Sequence, residues 1–304
     1  MGDIRIFRID GTEARELKGS SVALEKSLQI YIEKNLEPLL GITFLESEYS
    51  TGKTHGGRID TLGIDENGFP VIIEYKRAIN ENVINQGLYY LDWLLDHKAE
   101  FELMVLKKLG EDYGERLDWS NPRLLCIAGD FTKYDTHAVQ QINRNIELIR
   151  YRKFDDDLLL LELVNATAAQ SSTMLSSGST GPSSARIAPT FSEDLARLDV
   201  EIQNRFEVLK TYIEALGDDV QTKVLKNYVA FKRIKNFACV STQRRGELAV
   251  RVKLDPDTIE LEPGFTQDVR GKGYYGTGDL EILIRSDADI KRATPLILQS
   301  YESN

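Results

Sequence analysis

Three charged residues, Asp60, Glu74 and Lys76, interrupt two apolar runs in the segment GRIDTLGIDENGFPVIIEYKR, residues 57–77. The runs are joined by Asp-Glu-Asn-Gly, a sequence typical of a β-hairpin turn, so both are predicted to be buried strands. A buried charge is costly unless it has a counter-ion or hydrogen-bonding partners. The spacing therefore indicates either an interior ion pair, formed by Asp60 or Glu74 with Lys76 or Arg58, or a site that holds a cation.

The length of the hairpin loop decides whether the two carboxylates meet. A two-residue loop, residues 67–68, would set Asp60 opposite Tyr75 and send the carboxylates to opposite faces of the sheet. A three-residue loop, residues 66–68, sets Asp60 directly opposite Glu74. In that register a divalent cation held by Asp60, Glu74 and a backbone carbonyl would remove the repulsion between the like charges.

The spacing of an Asp, thirteen intervening residues and then Glu-x-Lys resembles the PD-(D/E)XK nuclease superfamily. The longer string GRIDTLGIDENGFPVIIEYKR…VINQGLYYLDWL is similar to the catalytic domain of the NucS-type endonucleases. The resemblance implies that Asp60 and Glu74 hold Mg²⁺ or Mn²⁺, together with the backbone carbonyl of Tyr75. Lys76 projects from the face of Glu74 because strand side chains alternate. By the resemblance, it positions the attacking water or stabilises the transition state.

Two predicted helices add candidate residues to this site. In the first helix, Glu25 falls on the apolar side, and the superfamily often draws a glutamate from its first helix; Glu33 is the competing choice. In the helix predicted over residues 81–96, Gln86 and Tyr90 lie four residues apart on one face and resemble the Gln-x-x-x-Tyr element of RecB-like members. The resemblance implies that they orient the site or contact the DNA strand. Helix packing is the alternative.

Basic residues are concentrated in two further places. Lys53, His55 and Arg58 are predicted to lie on a loop at the rim of the site and to contact phosphates, with a plain surface loop as the alternative. Residues 223–253 hold nine basic residues and one acidic residue, with aromatic residues between them. This composition is typical of a surface that binds nucleic acid, although a solvated charged face would show it too.

The elements around the site predict an α/β protein with a second, smaller domain. Residues 1–164 have the pattern of a mixed sheet flanked by helices, and the resemblance implies a restriction-endonuclease-like fold. In this domain the segment THAVQQINRNI, residues 136–146, is predicted to be a helix. Residues 165–192 are rich in Ser, Thr, Ala and Gly and are predicted to be a flexible linker. Residues 193–304 are predicted to form an α+β domain that opens with a long helix over residues 194–216 and binds nucleic acid or a partner.

The composition narrows the chemistry further. Three His and two Cys in 304 residues provide no disulfide framework and no zinc site, so a metal must be held by oxygen ligands, as Mg²⁺ and Mn²⁺ are. No apolar run has the length needed to cross a bilayer, and the N-terminus lacks the order of a signal peptide, which predicts a soluble cytoplasmic protein. The net charge of −10 argues against a protein that coats nucleic acid indiscriminately, but it leaves room for a local basic groove.

Together these patterns predict a metal-dependent endonuclease that hydrolyses phosphodiester bonds of DNA, with RNA as the other substrate that the sequence allows. The competing interpretation is a non-catalytic nucleic-acid-binding or regulatory protein that retains the nuclease fold. In a third interpretation, the long helix at the start of the second domain forms the interface of a homodimer.

Overall fold

The chain divides into two compact units, Met1–Thr173 and Met174–Asn304. The computed structural model describes residues 4–20, 25–76, 83–155, 157–167, 191–243, 247–272 and 276–304, apart from the side chains of Glu25 and Thr54. Most of the predicted linker, residues 168–190, therefore lies outside the described residues. Within the described ranges, no helix combines the length and the apolar character needed to span a membrane.

The first unit alternates between strands and helices. Its strands are β1 (Ile6–Asp10), β2 (Glu13–Leu17), β3 (Gly19–Ser20), β4 (Ile42–Ser50), β5 (Arg58–Asp65), β6 (Pro70–Lys76), β7 (Arg123–Ala128), β8 (Asn145–Phe154) and β9 (Leu158–Ala166). Its helices are α1 (Glu25–Lys34), α2 (Leu36–Leu40), α3 (Gly52–His55), α4 (Val83–Asp96), α5 (Lys98–Leu109), α6 (Glu111–Arg116) and α7 (Lys133–Gln140). β1 and β2 form an antiparallel ribbon of their own.

The central sheet is mixed, with helices on both faces. Its strand order is β3-β8-β7-β6-β5-β4, and β9 also pairs with β8. β6, β7 and β8 run parallel, whereas β4, β5 and β6 are antiparallel neighbours. Leu62 and Ile72 share a hydrophobic core with Leu91 of α4, while Thr61 bonds to Glu33 of α1. Because adjacent strand residues point to opposite faces, α1 and α4 cover opposite sides of the sheet, and the predicted architecture is confirmed.

The β5–β6 hairpin has the register of a three-residue loop. Pairing runs from Ile64 with Pro70 to Thr61 with Ile73. A two-residue loop would shift every pair by one residue and turn the side chains of one strand to the other face. The register predicted to oppose the two carboxylates is therefore confirmed.

The loop itself is fixed by one side chain and one glycine. Asp65 Oδ1 accepts hydrogen bonds from the backbone N–H groups of Asn67 and Phe69, both at 2.9 Å. Gly68 has φ +86°, in the left-handed region, and a Cβ there would lie 2.1 Å from the carbonyl oxygen of Arg116. Glycine is thus required both by the backbone conformation and by the close approach of a neighbouring chain segment.

A buried charge cluster anchors the same loop to the parallel strands. Arg123, the first residue of β7, donates from Nη1 to Asp65 Oδ2 at 2.7 Å. Its Nε and Nη2 donate to Oε1 and Oε2 of Glu147 on β8, both at 2.9 Å. These side chains are 7%, 3% and 4% exposed, respectively. Burial disfavours the charged guanidinium, but the two carboxylates outweigh this effect and raise the pKa of Arg123. One arginine therefore ties the hairpin loop to two parallel strands.

The helix predicted over residues 136–146 is wrong at its C-terminal end. α7 ends at Gln140, and Asn145 begins β8. β8 is a buried strand, but Glu147 and Arg150 lie within it and are held by ion pairs. These inward charges break the continuous apolar run by which a buried parallel strand is normally recognised.

The second unit packs helices on one face of an antiparallel sheet. Its strands are β10 (Gln221–Val224), β11 (Tyr228–Lys232), β12 (Asn236–Thr242), β13 (Leu248–Val252), β14 (Thr266–Asp268) and β15 (Leu280–Ile284). Across the sheet they lie in the order β10-β11-β12-β13-β15-β14. Its helices are α8 (Phe191–Ala196), α9 (Val200–Glu214), the 3₁₀ turn at Pro256–Thr258 and α10 (Asp287–Ser303). Side chains of α8, α9 and α10 form one core with the inward residues of the strands. The prediction of a single long helix over residues 194–216 is wrong. Two helices occupy this region: α8 ends at Ala196, and α9 begins at Val200 with Asp199 as its N-cap.

Candidate active site

Two opposed carboxylates lie where the β5–β6 ladder ends. Asp60 and Glu74 are the next opposed positions beyond the pair Thr61 and Ile73. Each carboxylate accepts a hydrogen bond from the other strand: Glu74 Oε1 from the Asp60 N–H at 3.1 Å, and Asp60 Oδ2 from the Tyr75 N–H at 3.0 Å. Glu74 is fully buried and Asp60 is half-buried. The structure thus brings together the two acidic residues that the sequence singles out.

The negative charge of these carboxylates affects two neighbouring side chains. Burial raises the pKa of the Tyr75 phenol, and three nearby carboxylates raise it further, those of Glu33, Asp60 and Glu74. Burial likewise raises the pKa of the Cys126 thiol, with Glu74 again adding to the effect. Burial is the larger cause of both shifts, and the negative charge of the carboxylates adds to it.

Two carboxylates are the groups that this site could offer to a metal ion. Across the ranges that the structure describes, no group of three or more His, Cys, Asp or Glu side chains is arranged to hold a metal. The side-chain oxygen atoms that could hold a cation here are those of Asp60 and Glu74, and the main-chain carbonyl of Tyr75 remains the third ligand of the sequence prediction. Mg²⁺ is commonly bound through one or two carboxylates and keeps several waters, so this set suits Mg²⁺ or Mn²⁺.

Lys76 is placed beside the carboxylates by the strand that carries Glu74. It is the last residue of β6, is half-buried, and pairs in the parallel ladder with Ala128 of β7. Because it follows Glu74 by two residues, it lies on the same face of the sheet.

A polar network connects α1 to the strand of Asp60. Glu33 Oε1 accepts hydrogen bonds from three side chains, those of Gln29 (2.9 Å), Ser47 (2.8 Å) and Thr61 (2.6 Å). The buried Gln29 amide also donates to the main-chain carbonyl of Asp60 at 2.8 Å. Gln29 and Glu33 therefore fix the backbone from which the Asp60 side chain projects.

This network bears on the choice between Glu25 and Glu33. Glu25 is the first residue of α1, and its side chain lies outside the described residues. Glu33, the competing choice, is tied to the strands of the site. Gln29 was missed by the sequence reasoning, although it lies on the same helical face as these residues, four positions from each.

Gln86 and Tyr90 hold the start of β5. The Tyr90 hydroxyl oxygen accepts hydrogen bonds from the Arg58 N–H at 3.1 Å and from Gln86 Nε2 at 3.2 Å. A Cβ on Gly57 would lie 2.5 Å from the Tyr90 ring, so only glycine permits this approach. Arg58 precedes Asp60 by two residues. The pair therefore orients the main chain that leads into the site.

The three predicted rim residues lie at the entrance to β5, and their environments differ. Residues 52–55 form the short helix α3, on which Lys53 is exposed and His55 is half-buried. The Arg58 guanidinium forms an ion pair with Glu48 of β4. A hydrogen bond from Lys26 holds the pKa of Glu48 below its ordinary value. Arg58 therefore contributes its charge next to an acidic partner.

The basic segment of the second unit is only partly a surface feature. Phe231 and Phe237 are fully buried in the core, so these two rings are not available for stacking with bases. Arg251 is buried and donates to Glu281 on the neighbouring strand from Nε at 2.9 Å and from Nη2 at 2.8 Å. Phe231, Phe237 and Arg251 therefore stabilise the interior of the second unit.

Comparisons with known proteins match nearly the whole chain or a part of it. Residues 192–304 match a family described as a domain of unknown function, DUF5655. A Haemophilus influenzae protein named as an uncharacterized protein is 29% identical over 305 residues, covering 98% of this chain and all of that protein.

Two solved structures resemble part of the chain. A repair endonuclease from Pyrococcus abyssi has 18% identity and a TM-score of 0.28, and covers 43% of this chain. EndoMS in a complex with double-stranded DNA has 19% identity and a TM-score of 0.25 over 43% of this chain. The match spans 48% and 47% of those two chains, respectively.

Proposed function

We propose that this protein is a metal-dependent endonuclease that hydrolyses phosphodiester bonds of DNA. The observation that carries the proposal is the opposition of Asp60 and Glu74 at the end of a paired ladder, with Lys76 on the same face. Two carboxylates this close repel each other unless positive charge or hydrogen-bond donors lie between them. A buried and a half-buried carboxylate in opposed positions suit a cation that both would bind.

The residues of the site divide into ligands, a charge stabiliser and positioning groups. Asp60, Glu74 and the Tyr75 carbonyl would hold Mg²⁺ or Mn²⁺, which when bound supplies Lewis acidity and makes water a stronger nucleophile at neutral pH. The Lys76 ammonium stabilises negative charge that develops on the phosphate. Glu33 acts through Gln29, which holds the carbonyl of Asp60.

The rim residues and the helix behind them serve the substrate. Gln86 and Tyr90 keep the entrance to β5 in place. Lys53 and Arg58 contact the phosphates that flank the reacting one, since both are exposed beside that entrance. The second unit holds or selects the DNA.

The test compares the wild-type protein with Glu74→Gln and Lys76→Ala on single-stranded, duplex, flapped and mismatched DNA in Mg²⁺ or Mn²⁺. Glutamine keeps the acceptor for the Asp60 N–H but removes the charge, so the fold should survive while cleavage falls by about 10²-fold or more. Glu46→Gln is the matched control, because Glu46, on β4, forms an ion pair with Lys108 of α5. We expect it to cut like the wild type.

Equal cleavage by the wild type and Glu74→Gln would refute the assigned site. If no DNA is cut, but the wild type binds DNA equally with and without the metal, the non-catalytic nucleic-acid-binding interpretation replaces the enzyme.

A further inference from the structure

The backbone of β4 is strained at Glu48, beside the candidate active site. This residue has φ +56°, in the left-handed region that residues other than glycine rarely adopt. The strand pairs on either side of it set Glu48 opposite Asp60 on β5. In a regular antiparallel pair, opposed side chains share a face. Strain of this kind persists only where other contacts hold the residue, and it is concentrated at functional sites.

The contacts that hold Glu48 are ion pairs with two basic side chains. Glu48 Oε1 accepts a hydrogen bond from Nζ of Lys26 on α1, and Glu48 Oε2 pairs with Nε of Arg58. Lys26 Nζ also donates to Gln29 Oε1 at 3.3 Å, and Gln29 Nε2 in turn holds the Asp60 carbonyl. The Glu48 side chain is 25% exposed and that of Arg58 is 67% exposed. Glu48 is therefore fixed to α1 and presents its second oxygen to a more exposed arginine.

Arg58 has the length and the position to reach the opposed carboxylates. It precedes Asp60 by two residues on β5, so the two side chains project from one face, about 7 Å apart along the strand. An arginine side chain can span that distance, and its guanidinium binds carboxylates through two parallel hydrogen bonds. A guanidinium bound to Asp60 would neutralise the charge that attracts a divalent ion and would occupy its place. In the structure the guanidinium is paired with Glu48 instead.

We infer that Glu48 is a positioning residue that holds Arg58 away from Asp60 and Glu74 and so keeps both carboxylates available to Mg²⁺ or Mn²⁺. This role rests on the proposed function for the metal site. It gives the strained backbone a purpose, because the left-handed conformation accompanies a carboxylate that contacts Lys26 and Arg58. It also keeps the exposed guanidinium at the rim, where the proposed function needs it for phosphate contacts.

The experiment measures Mn²⁺ binding to the full-length protein without DNA, from the electron paramagnetic resonance signal of free Mn²⁺. Glu48→Gln keeps the size of the side chain but removes its charge, so that Arg58 is released to Asp60. We expect Mn²⁺ to bind about three- to tenfold more weakly. In the Arg58→Ala background no guanidinium can be released, and Glu48→Gln should change the Mn²⁺ affinity by less than about twofold.

Two further variants separate the release of Arg58 from a loss of charge and from a loss of folding. Glu46→Gln removes a negative charge two residues away on the same strand, where the partner is Lys108, and should leave the Mn²⁺ affinity within about twofold of the wild type. Glu48→Gly removes the same carboxylate but suits the left-handed backbone. It should bind Mn²⁺ as weakly as Glu48→Gln and unfold at a urea concentration no lower than that variant.

The outcomes separate the role of Glu48 from the proposed function. Equal Mn²⁺ affinity of the wild type, Glu48→Gln and Glu48→Gly would overturn this role, as would an equally large loss in the Arg58→Ala background. DNA cleavage together with either result leaves the endonuclease standing. Mn²⁺ binding that depends on Glu48 only when Arg58 is present, in a protein that cuts no DNA, does the reverse. A wild type that binds no Mn²⁺ contradicts both.

Discussion

Replacement of Asp65 by alanine should destabilise the first unit, because this side chain both holds the hairpin loop and pairs with a buried arginine. It accepts a charge-assisted hydrogen bond from Arg123 and two backbone hydrogen bonds, from Asn67 and Phe69. A hydrogen bond to a charged group contributes about 1.5–3 kcal/mol, and a buried N–H left without an acceptor costs about 1–3 kcal/mol. Since Arg123 keeps Glu147 as a partner, we expect a total loss of about 3–5 kcal/mol.

Asp65→Asn separates the contribution of the bond to Arg123 from that of the two backbone hydrogen bonds. The amide oxygen can still accept from the two backbone N–H groups, so only the bond to the guanidinium is lost. We expect Asp65→Asn to be more stable than Asp65→Ala by about 1–2 kcal/mol. Asp118→Ala is the matched control. Asp118 also accepts a backbone N–H in a turn, that of Ser120, but this hydrogen bond is exposed to solvent, and its removal should cost less than about 1 kcal/mol.

Urea unfolding can follow the first unit alone, because both tryptophans of the chain, Trp93 and Trp119, lie in it. Tryptophan fluorescence should show the shift, while any separate transition of the second unit seen by circular dichroism should not move. A loss below about 1 kcal/mol for Asp65→Ala, or an equal shift in both units, would refute the view that this carboxylate anchors the hairpin.

Two further changes test the network behind the site and the neighbouring strand β4. Glu33→Ala removes an acceptor shared by three donors, and we expect it to lower the free energy of unfolding, measured by urea titration, by about 2–3 kcal/mol. Glu33→Gln should recover most of this loss. Equal stability of the wild type and Glu33→Ala would contradict the network. Burial raises the pKa of Tyr49 to about 12, and its hydrogen bond to Glu100 adds to the effect. The unfolded chain releases this proton near pH 10 while the folded protein keeps it, so stability should fall from pH 10 to 12, less steeply in Tyr49→Phe; identical slopes would count against this assignment.

The sequence was informative where local geometry decides the structure. The Asp-Glu-Asn-Gly loop allowed two registers, and the one that opposes Asp60 and Glu74 is the one that forms, with a positive φ at Gly68 but not at Asn67. Loop length and strand alternation are local properties, and they carried the hypothesis of a paired carboxylate site without any knowledge of distant contacts.

Long-range contacts account for what could not be predicted. Helical periodicity places Glu25, Gln29 and Glu33 on related faces, but only the packing of α1 against β4 and β5 shows that Gln29 reaches the Asp60 carbonyl. The strand β8 was hidden because Glu147 is buried by pairing with an arginine 24 residues earlier. From the sequence alone, a charged residue is predicted to lie at the surface, because its buried partner is not known.

The end of the β5–β6 ladder explains why the carboxylates are tolerated there in the folded chain. Within a continuous antiparallel ladder, backbone N–H groups bond to backbone carbonyls and leave none for side chains. Beyond Thr61 and Ile73 the N–H groups of Asp60 and Tyr75 bond to the carboxylates instead. Two backbone dipoles thereby offset part of the cost of placing like charges on neighbouring strands. The geometry that the proposed chemistry requires is thus built into the hairpin, because Asp65 and Gly68 fix the register at one end and so determine which residues meet at the other.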